Sequence, residues 1–210
     1  MNVIICGSRK YDRSLDDIVD SFDVIVRHNM LVSNCGYGQK ESTIQVMNAH
    51  VHKNYKRKLS LKQWMEHYAV KKPDDDHVRK FYEYINSNTK TKYVTYHHNN
   101  TSLMKKVCAK HGIKFNGRHL KCGLGHVASC IHAGTKPFLI GYSISDTTIS
   151  DHQYNNHTKL FREHDHIGET HLIKRLHKKG LIDASLCLIT VEGLSDEISM
   201  TDQSKKLLDI

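Results

Sequence analysis

The chain opens with a short apolar run, Val3-Ile4-Ile5-Cys6, that stops at Gly7-Ser8-Arg9. Consecutive apolar residues bounded by a glycine turn are typical of a strand that is buried on both faces of a parallel sheet, since a half-exposed strand would alternate with polar residues. A helical pattern follows at residues 15–21. This order of strand, glycine turn and helix is a usual opening of an α/β nucleotide-binding fold.

Strand and helix patterns continue to alternate along the chain. The further predicted strands are residues 22–26, 42–47, 92–96, 137–141 and 185–190, and the further predicted helices are residues 103–111, 123–133 and 170–179. Such alternation predicts an α/β fold with a Rossmann-like, open, mostly parallel sheet flanked by helices. In such folds the ligand site lies at the carboxyl ends of the strands, near a switch in strand order.

The chain is most simply one domain with appended segments. Residues 1–190 form the predicted domain, and residues 142–163 form a lid, because this stretch is polar, long and without clear periodicity. Residues 50–88 are polar with a helical pattern and resemble an insertion. Residues 191–210 are predicted as a C-terminal tail or helix.

The composition favours anionic partners. The 210 residues carry a formal net charge of +9 and are 39% hydrophobic, which is enough for a buried core. Nucleotides, acidic glycans, nucleic acid and an anionic membrane surface all fit this charge. The basic stretch 53–58 is best interpreted as a solvated helix face, then as a docking site for acidic glycan or membrane, and last as a nucleic-acid site. We expect no nucleic-acid partner.

The cysteines and the hydropathy favour a soluble protein. The six cysteines show neither CxxC pairing nor the density of a disulfide scaffold, so reduced cytosolic thiols are expected. The apolar start is too short for a signal peptide, and no stretch approaches the length of a membrane span. We expect a cytoplasmic protein that can contact the inner membrane face peripherally.

Three segments resemble the sialylmotifs of sialyltransferases. The first joins residues 3–8 to residues 22–29, where an Asp-apolar-apolar pattern leads to Arg27-His28-Asn29. The second runs from Cys122-Gly123 through a small-residue helix to Gly141-Tyr142. The third is His164, followed five residues later by Glu169 and a helix that closes at Gly180. Their order and spacing resemble the bacterial lipooligosaccharide sialyltransferases.

This resemblance implies an inverting transferase that moves a nonulosonic acid from its CMP-activated donor to a hydroxyl of a glycan or glycolipid acceptor. His164 would be the general base, a role that suits histidine because its pKa lies near the working pH. No cofactor and no metal are expected, because hydroxyls and backbone N–H groups can meet the charge of a single phosphate. The implied donor-binding residues are Gly7, Ser8, Asn29, Asn48, Cys122, Gly123, Gly141 and Tyr154.

Each group of these residues has its own implied role. Gly7 and Ser8 would cradle the donor, while Asn29 and Asn48 would hydrogen-bond its nucleotide or sugar. Cys122 and Gly123 would hold the phosphate or the sugar carboxylate at a helix start. Tyr154, in the predicted lid, would donate from its phenol to the leaving phosphate.

Two positions differ from the family pattern. Ser8 stands where the family usually has Asn, and Cys122 stands where a Ser or Thr hydroxyl is usual. A thiol is a poorer hydrogen-bond donor than a hydroxyl. The donor is therefore sialic acid or a related nonulosonic acid, and the acceptor sugar, the linkage and the oligomeric state stay open.

Other interpretations of the same residues stay open. The Gly7-Ser8-Arg9 opening also fits a Rossmann-like nucleotide-sensing domain without transferase activity, and an inactive transferase-like protein that only binds glycans is a third alternative. Asn29 and Asn48 can be ordinary turn residues, and we favour a structural role for Arg27. Pairs of nearby histidines suggest a metal, yet no ligand spacing completes a site.

Overall fold

The fold was analysed in a computed structural model of the chain. The structure describes residues 1–7, 9, 13–28, 38–40, 43–47, 93–96, 101–117, 120, 122–144, 165–190 and 195–209.

The described part of the chain is built on a parallel five-stranded sheet. Its strands are β1 (Val3–Cys6), β2 (Val24–His28), β3 (Ile44–Met47), β4 (Tyr93–Tyr96) and β5 (Phe138–Ile140), and their spatial order is β4-β3-β2-β1-β5. The chain thus lays down β1 to β4 in one direction and then returns to place β5 on the other side of β1. The strand order switches between β1 and β5, as the predicted fold class requires for a ligand site.

Helices cover both faces of this sheet. They are α1 (Asp16–Asp20), α2 (Thr101–Lys110), α3 (Cys122–His132), α4 (His166–Lys178) and α5 (Asp202–Leu207), with short 3-10 helices at Arg13–Leu15 and Ser185–Ile189. The predicted Rossmann-like α/β fold is therefore confirmed. The predicted insertion at residues 50–88 lies outside the described residues.

The alternation of side chains along β1 separates two parts of the core. Val3 and Ile5 belong to the larger part, which is completed by apolar residues of α2, α3 and α4. Ile4 and Cys6 point the other way, into a smaller part with residues of α1 and the second 3-10 helix. Because successive strand residues face opposite sides, an unbroken apolar run is what a doubly covered strand needs.

Apolar spacing determines which face of each large helix is buried. In α3, Leu124, Val127, Ala128 and Ile131 are buried and follow the i, i+3, i+4, i+7 pattern. These residues belong to the larger part of the core. Their packing places the first turn of α3 at the carboxyl ends of the strands.

The predicted strand at residues 185–190 is wrong. Asp183 makes a single parallel bridge to Phe138 at the edge of the sheet. Its carboxylate then accepts hydrogen bonds from the backbone N–H and the hydroxyl of Ser185, which turns the chain into a 3-10 helix. Leu186 and Cys187 are still fully buried. An apolar run without alternation fits a buried helical turn as well as a strand.

The C-terminal segment packs against this corner of the sheet. Thr201 donates from its hydroxyl to Asp183, and the Ser185 hydroxyl lies 2.8 Å from that of Ser204. Asp183, Ser185 and Ser204 are completely buried. The network fixes α5, which lies in the segment predicted as a tail or helix, onto the edge next to β5.

Among the helices of the described residues, none is both long enough and apolar enough to cross a membrane.

Candidate active site

The carboxyl ends of β1 and β5 approach each other closely. The backbone N–H of Gly7 donates to the carbonyl of Ile140 at 2.7 Å, and that of Arg9 donates to the carbonyl of Gly141 at 3.1 Å. A Cβ atom at Gly7 would overlap the Gly141 carbonyl. Glycine at position 7 is thus required by the close approach of the two chains at the switch point.

Tyr142 lies between the two glycine turns. A Cβ atom at Gly123, in the first turn of α3, would overlap the Tyr142 hydroxyl, and one at Gly7 would lie 3.1 Å from the Tyr142 ring. Tyr142 itself is buried. The structure therefore brings Gly7, Gly123 and Gly141 together around one aromatic ring.

The amino-terminal turn of α4 lies beside the same segment. The Thr170 hydroxyl is 3.4 Å from the carbonyl of Ser143, two residues after Gly141. Asp165 caps the helix by accepting a hydrogen bond from the N–H of Gly168 at 2.8 Å. The helix therefore begins at His166, four residues before the predicted start at residue 170.

Glu169 and His164 belong to this helix start in different ways. Glu169 is buried in the first turn of α4, where a carboxylate complements the positive end of the helix dipole. His164 directly precedes the capping Asp165 in the sequence and lies outside the described residues.

Two histidines connect β2 to α3 at the same end of the sheet. His28 is the last residue of β2, and its Nδ1 atom lies 3.3 Å from the carbonyl of Cys6. Its ring is 6.5 Å from that of His126 and nearly perpendicular to it. Burial lowers the pKa of His126, so this imidazole is neutral at pH 7.

The structure describes only some of the predicted site residues. Gly7, Gly123 and Gly141 meet as above, and Cys122 is the first residue of α3. Asn29 and Asn48 directly follow the last residues of β2 and β3 in the sequence. The predicted residues outside the described part of the chain are Ser8, Asn29, Asn48, Tyr154 and His164.

Tyr142 and the pair His28 and His126 are not among the site residues predicted from the sequence. His28 and His126 lie within the first and second sialylmotif-like stretches, and Tyr142 is the first residue of the predicted lid. A signal was available for the histidines, since one ends a strand and the other falls early in a helix at the expected ligand edge. Nothing in the sequence indicated that the Tyr142 ring would pack against two glycines.

Arg27 lies on the opposite face of β2 from His28. It is buried, and its guanidinium lies near Gly38, whose N–H donates to Asp16 at 3.0 Å. Asp20 in turn accepts hydrogen bonds from the N–H groups of Gln39 and Lys40. This surrounding network accords with the structural role that we favour for Arg27.

Four cysteines in the described part of the chain are poor nucleophiles. Cys6, Cys108, Cys130 and Cys187 form no disulfide, and burial raises the pKa of the Cys6 and Cys187 thiols to about 12. The thiolate is the reactive form, so these side chains are inert at neutral pH. Within the residues that the structure describes, no three His, Cys, Asp or Glu side chains are grouped so as to hold a metal ion.

No family model matches the chain, and no curated protein matches it. Among solved structures the chain is similar to a mammalian sialyltransferase, whose crystal structure is in complex with Gal-beta-1-3GalNAc-ortho-nitrophenol. The two are 13% identical, the likeness covers 86% of this chain and 67% of that one, and the TM-score is 0.47.

Proposed function

We propose that this chain is an inverting glycosyltransferase. It transfers sialic acid or a related nonulosonic acid from its CMP-activated donor to a hydroxyl of a surface glycan, such as a capsule or lipooligosaccharide. It works in the cytoplasm, uses a histidine base, and needs neither a metal nor a further cofactor.

One observation carries this proposal. Segments of all three sialylmotif-like stretches converge at the carboxyl end of the sheet, where β1 and β5 mark the switch in strand order. Gly7 comes from the first stretch, Gly123 and Gly141 come from the second, and Thr170 of the third reaches Ser143. In an open α/β sheet the ligand site lies at this edge, and the presence there of all three stretches that resemble one family supports the proposal.

The chemistry of this edge suits a donor with a single phosphate. The first turn of α3 lies at the switch point, beside Tyr142, and the backbone N–H groups of a helix start stabilise negative charge on an oxygen. The neutral imidazole of His126 adds a group that can donate one hydrogen bond without a permanent charge.

His164 is the base in this proposal. In the sequence, His164 comes directly before Asp165, the cap of α4. Helix α4 is in turn hydrogen-bonded to the segment after β5 through Thr170. A neutral imidazole there would accept the proton of the acceptor hydroxyl as the oxygen attacks the anomeric carbon and CMP leaves.

The test is to incubate the protein with a panel of CMP-activated nonulosonic acids and to measure release of CMP, with and without an acceptor glycan. Slow hydrolysis of one donor identifies it even when the acceptor is unknown. Release that persists in EDTA is expected, since phosphate charge is met by dipoles and hydroxyls. No release from any donor, or complete loss in EDTA that a divalent ion restores, would contradict the proposal.

The nucleotide-sensing alternative predicts a different result in the same experiment. A sensor would bind a nucleotide without turnover, so the panel would give no CMP.

A further inference from the structure

The net positive charge of the chain originates from one segment that lacks acidic residues. Residues 84–145 contain nine Lys and Arg residues and no Asp or Glu, whereas the rest of the chain contains 22 of each kind. The whole formal charge of +9 therefore originates from this acid-free segment. So uneven a distribution is more informative than the net charge itself.

The fold joins part of this segment to a second basic element. The Arg175 guanidinium of α4 donates to the carbonyl of Lys114, in the loop after α2, at 2.7 Å. Burial raises the pKa of the Cys108 thiol in α2 to about 11, and the charge of Arg175 opposes this rise. The carboxyl-terminal part of α4 thus lies beside α2 and the loop that follows it.

Exposed cations cover these two helices. We call this surface the basic face, and it is formed by Lys105, Lys106, Lys110, Lys114, Arg175, Lys178 and Lys179, all of them exposed. No Asp or Glu occurs in residues 101–117 or 170–182. Cations in a last helical turn complement the helix dipole, but that role accounts for Lys110, Arg175 and Lys178 and not for the other four.

The basic face lies away from the candidate active site. The last turn of α4 is near the amino end of β5, because His177 Nδ1 accepts a hydrogen bond from the N–H of Ala184 at 3.2 Å. The preceding residue, Asp183, forms the bridge to Phe138, the first residue of β5. Burial chiefly, and Lys136 in addition, lower the pKa of His177 against the opposing effect of Asp183. The first turn of α4, by contrast, lies at the carboxyl end of β5. A partner on the basic face would leave the edge with Gly7 and Gly141 open.

The side chains of this face suit a diffuse negative surface. Six of the seven cations are lysines, which act as flexible point charges, and the one arginine is engaged by a backbone carbonyl. Single-stranded nucleic acid is held by aromatic rings that stack on its bases. No exposed aromatic side chain occurs in residues 101–117 or 170–182, since Phe115 is half-buried.

We propose that the basic face binds the surface of a bilayer that contains anionic phospholipids. The exposed lysines of α2 and α4 lie against the lipid headgroups, and the carboxyl edge of the sheet stays accessible. This inference rests on charge and geometry and is independent of the proposed transferase activity.

The experiment is co-sedimentation of the full chain with vesicles of phosphatidylcholine alone and of phosphatidylcholine mixed with phosphatidylglycerol. Binding is expected only to the mixed vesicles and is expected to weaken as salt is raised. Each lysine close to an anionic surface strengthens the attraction by roughly fivefold, so Lys178→Gln/Lys179→Gln is expected to weaken binding by at least about tenfold.

The chain provides a matched control in Lys205 and Lys206. These neighbours are also exposed and also lie near the end of a helix, but they belong to α5, which packs with the other part of the core. Lys205→Gln/Lys206→Gln removes the same charge and is expected to leave binding within about twofold of the original protein.

Several outcomes would overturn the inference. Equal losses in the two double variants would mean that net charge, and not the basic face, attracts the vesicles. Absence of binding to mixed vesicles would exclude the proposed partner. Tighter binding of a single-stranded polynucleotide, lost in Lys178→Gln/Lys179→Gln, would assign the face to nucleic acid. CMP release, measured in parallel, is expected to be the same in both double variants as in the original protein.

Discussion

At the scale of single residues, Tyr142 connects segments that are far apart in the sequence. Its ring packs against Gly7, which follows β1, and its hydroxyl lies against Gly123 at the start of α3. Neither glycine leaves room for a side chain. The two glycines are therefore explained by this packing, whatever ligand the edge binds.

Gly123→Ala is expected to destabilise the protein. Alanine in a helix gains about 1 kcal/mol over glycine, but the added methyl group would overlap Tyr142, and overpacking of a close contact costs about 1–3 kcal/mol. We expect the overlap to dominate because the clash is with a buried ring, which gives a net loss of about 1 kcal/mol in the free energy of unfolding. Urea denaturation measures it.

A double-mutant cycle separates this overlap from other effects. Tyr142→Phe removes the atom nearest to the new methyl group, so the double variant should lose less stability than the two single variants together. A coupling energy of about 0.5 kcal/mol or more is expected for residues in direct contact. Strict additivity would show that Gly123 does not meet Tyr142.

At the scale of elements, the start of α4 determines the register of the third motif. Asp165 caps the helix because its carboxylate accepts a hydrogen bond from the N–H of Gly168. The hydroxyl of Thr170 contacts the carbonyl of Ser143. Since the cap fixes His166 as the first helical residue, His164 is the last residue but one before the helix.

His164→Ala is expected to lower the rate of transfer by roughly 10²–10⁴-fold, the usual contribution of a positioned acid or base. CMP affinity should hardly change, because the base acts on the acceptor hydroxyl and not on the nucleotide. Steady-state kinetics with the donor identified by the CMP-release panel separate the two effects.

His166→Ala is the matched control, close in sequence but without a role in the matched motif. Loss of transfer in His166→Ala with full activity in His164→Ala would place the base two residues later. Full activity in both variants would rule out a catalytic role for this motif.

Elements were easier to predict from the sequence than their contacts. The unbroken apolar run of β1 and the apolar spacing in α3 each contain the whole local signal, so the sequence predicts both elements. The apolar run at residues 185–190 predicts a strand wrongly, because burial alone does not distinguish a strand from a helical turn. The carboxylate of Asp183, which turns the chain into the 3-10 helix, lies just before this run.

The positions of the glycines at this edge are predictable because a local rule applies to each. Gly7 and Gly123 follow from turns at strand and helix ends. The burial of Tyr142, however, arises from β1, α3 and the segment after β5 coming together, which no local pattern contains. The pairing of His28 with His126 depends on the same tertiary arrangement.

At the scale of the whole molecule, the two ends of the sheet differ in chemistry. The carboxyl end gathers glycines, neutral histidine and a helix start, whereas the basic face lies towards the amino end. The proposed donor and the proposed anionic surface would therefore not compete for the same side chains.

Which nucleotide stabilises the native protein tests the proposed site at the carboxyl edge of the sheet. If the carboxyl edge is built for a cytosine nucleotide with a single phosphate, CMP should stabilise the native protein against heat, while AMP and ADP-ribose should not. A ligand at about one hundred times its dissociation constant adds about 2.7 kcal/mol to the free energy of unfolding. For a chain of this size that raises the Tm by roughly 5–10 °C, which differential scanning fluorimetry detects.

UMP is the matched control, because it shares the ribose and the phosphate and differs in the pyrimidine edge. A larger shift with an adenine nucleotide than with CMP would favour the nucleotide-sensing alternative, since a transferase that uses a CMP-activated donor has no need to recognise a purine.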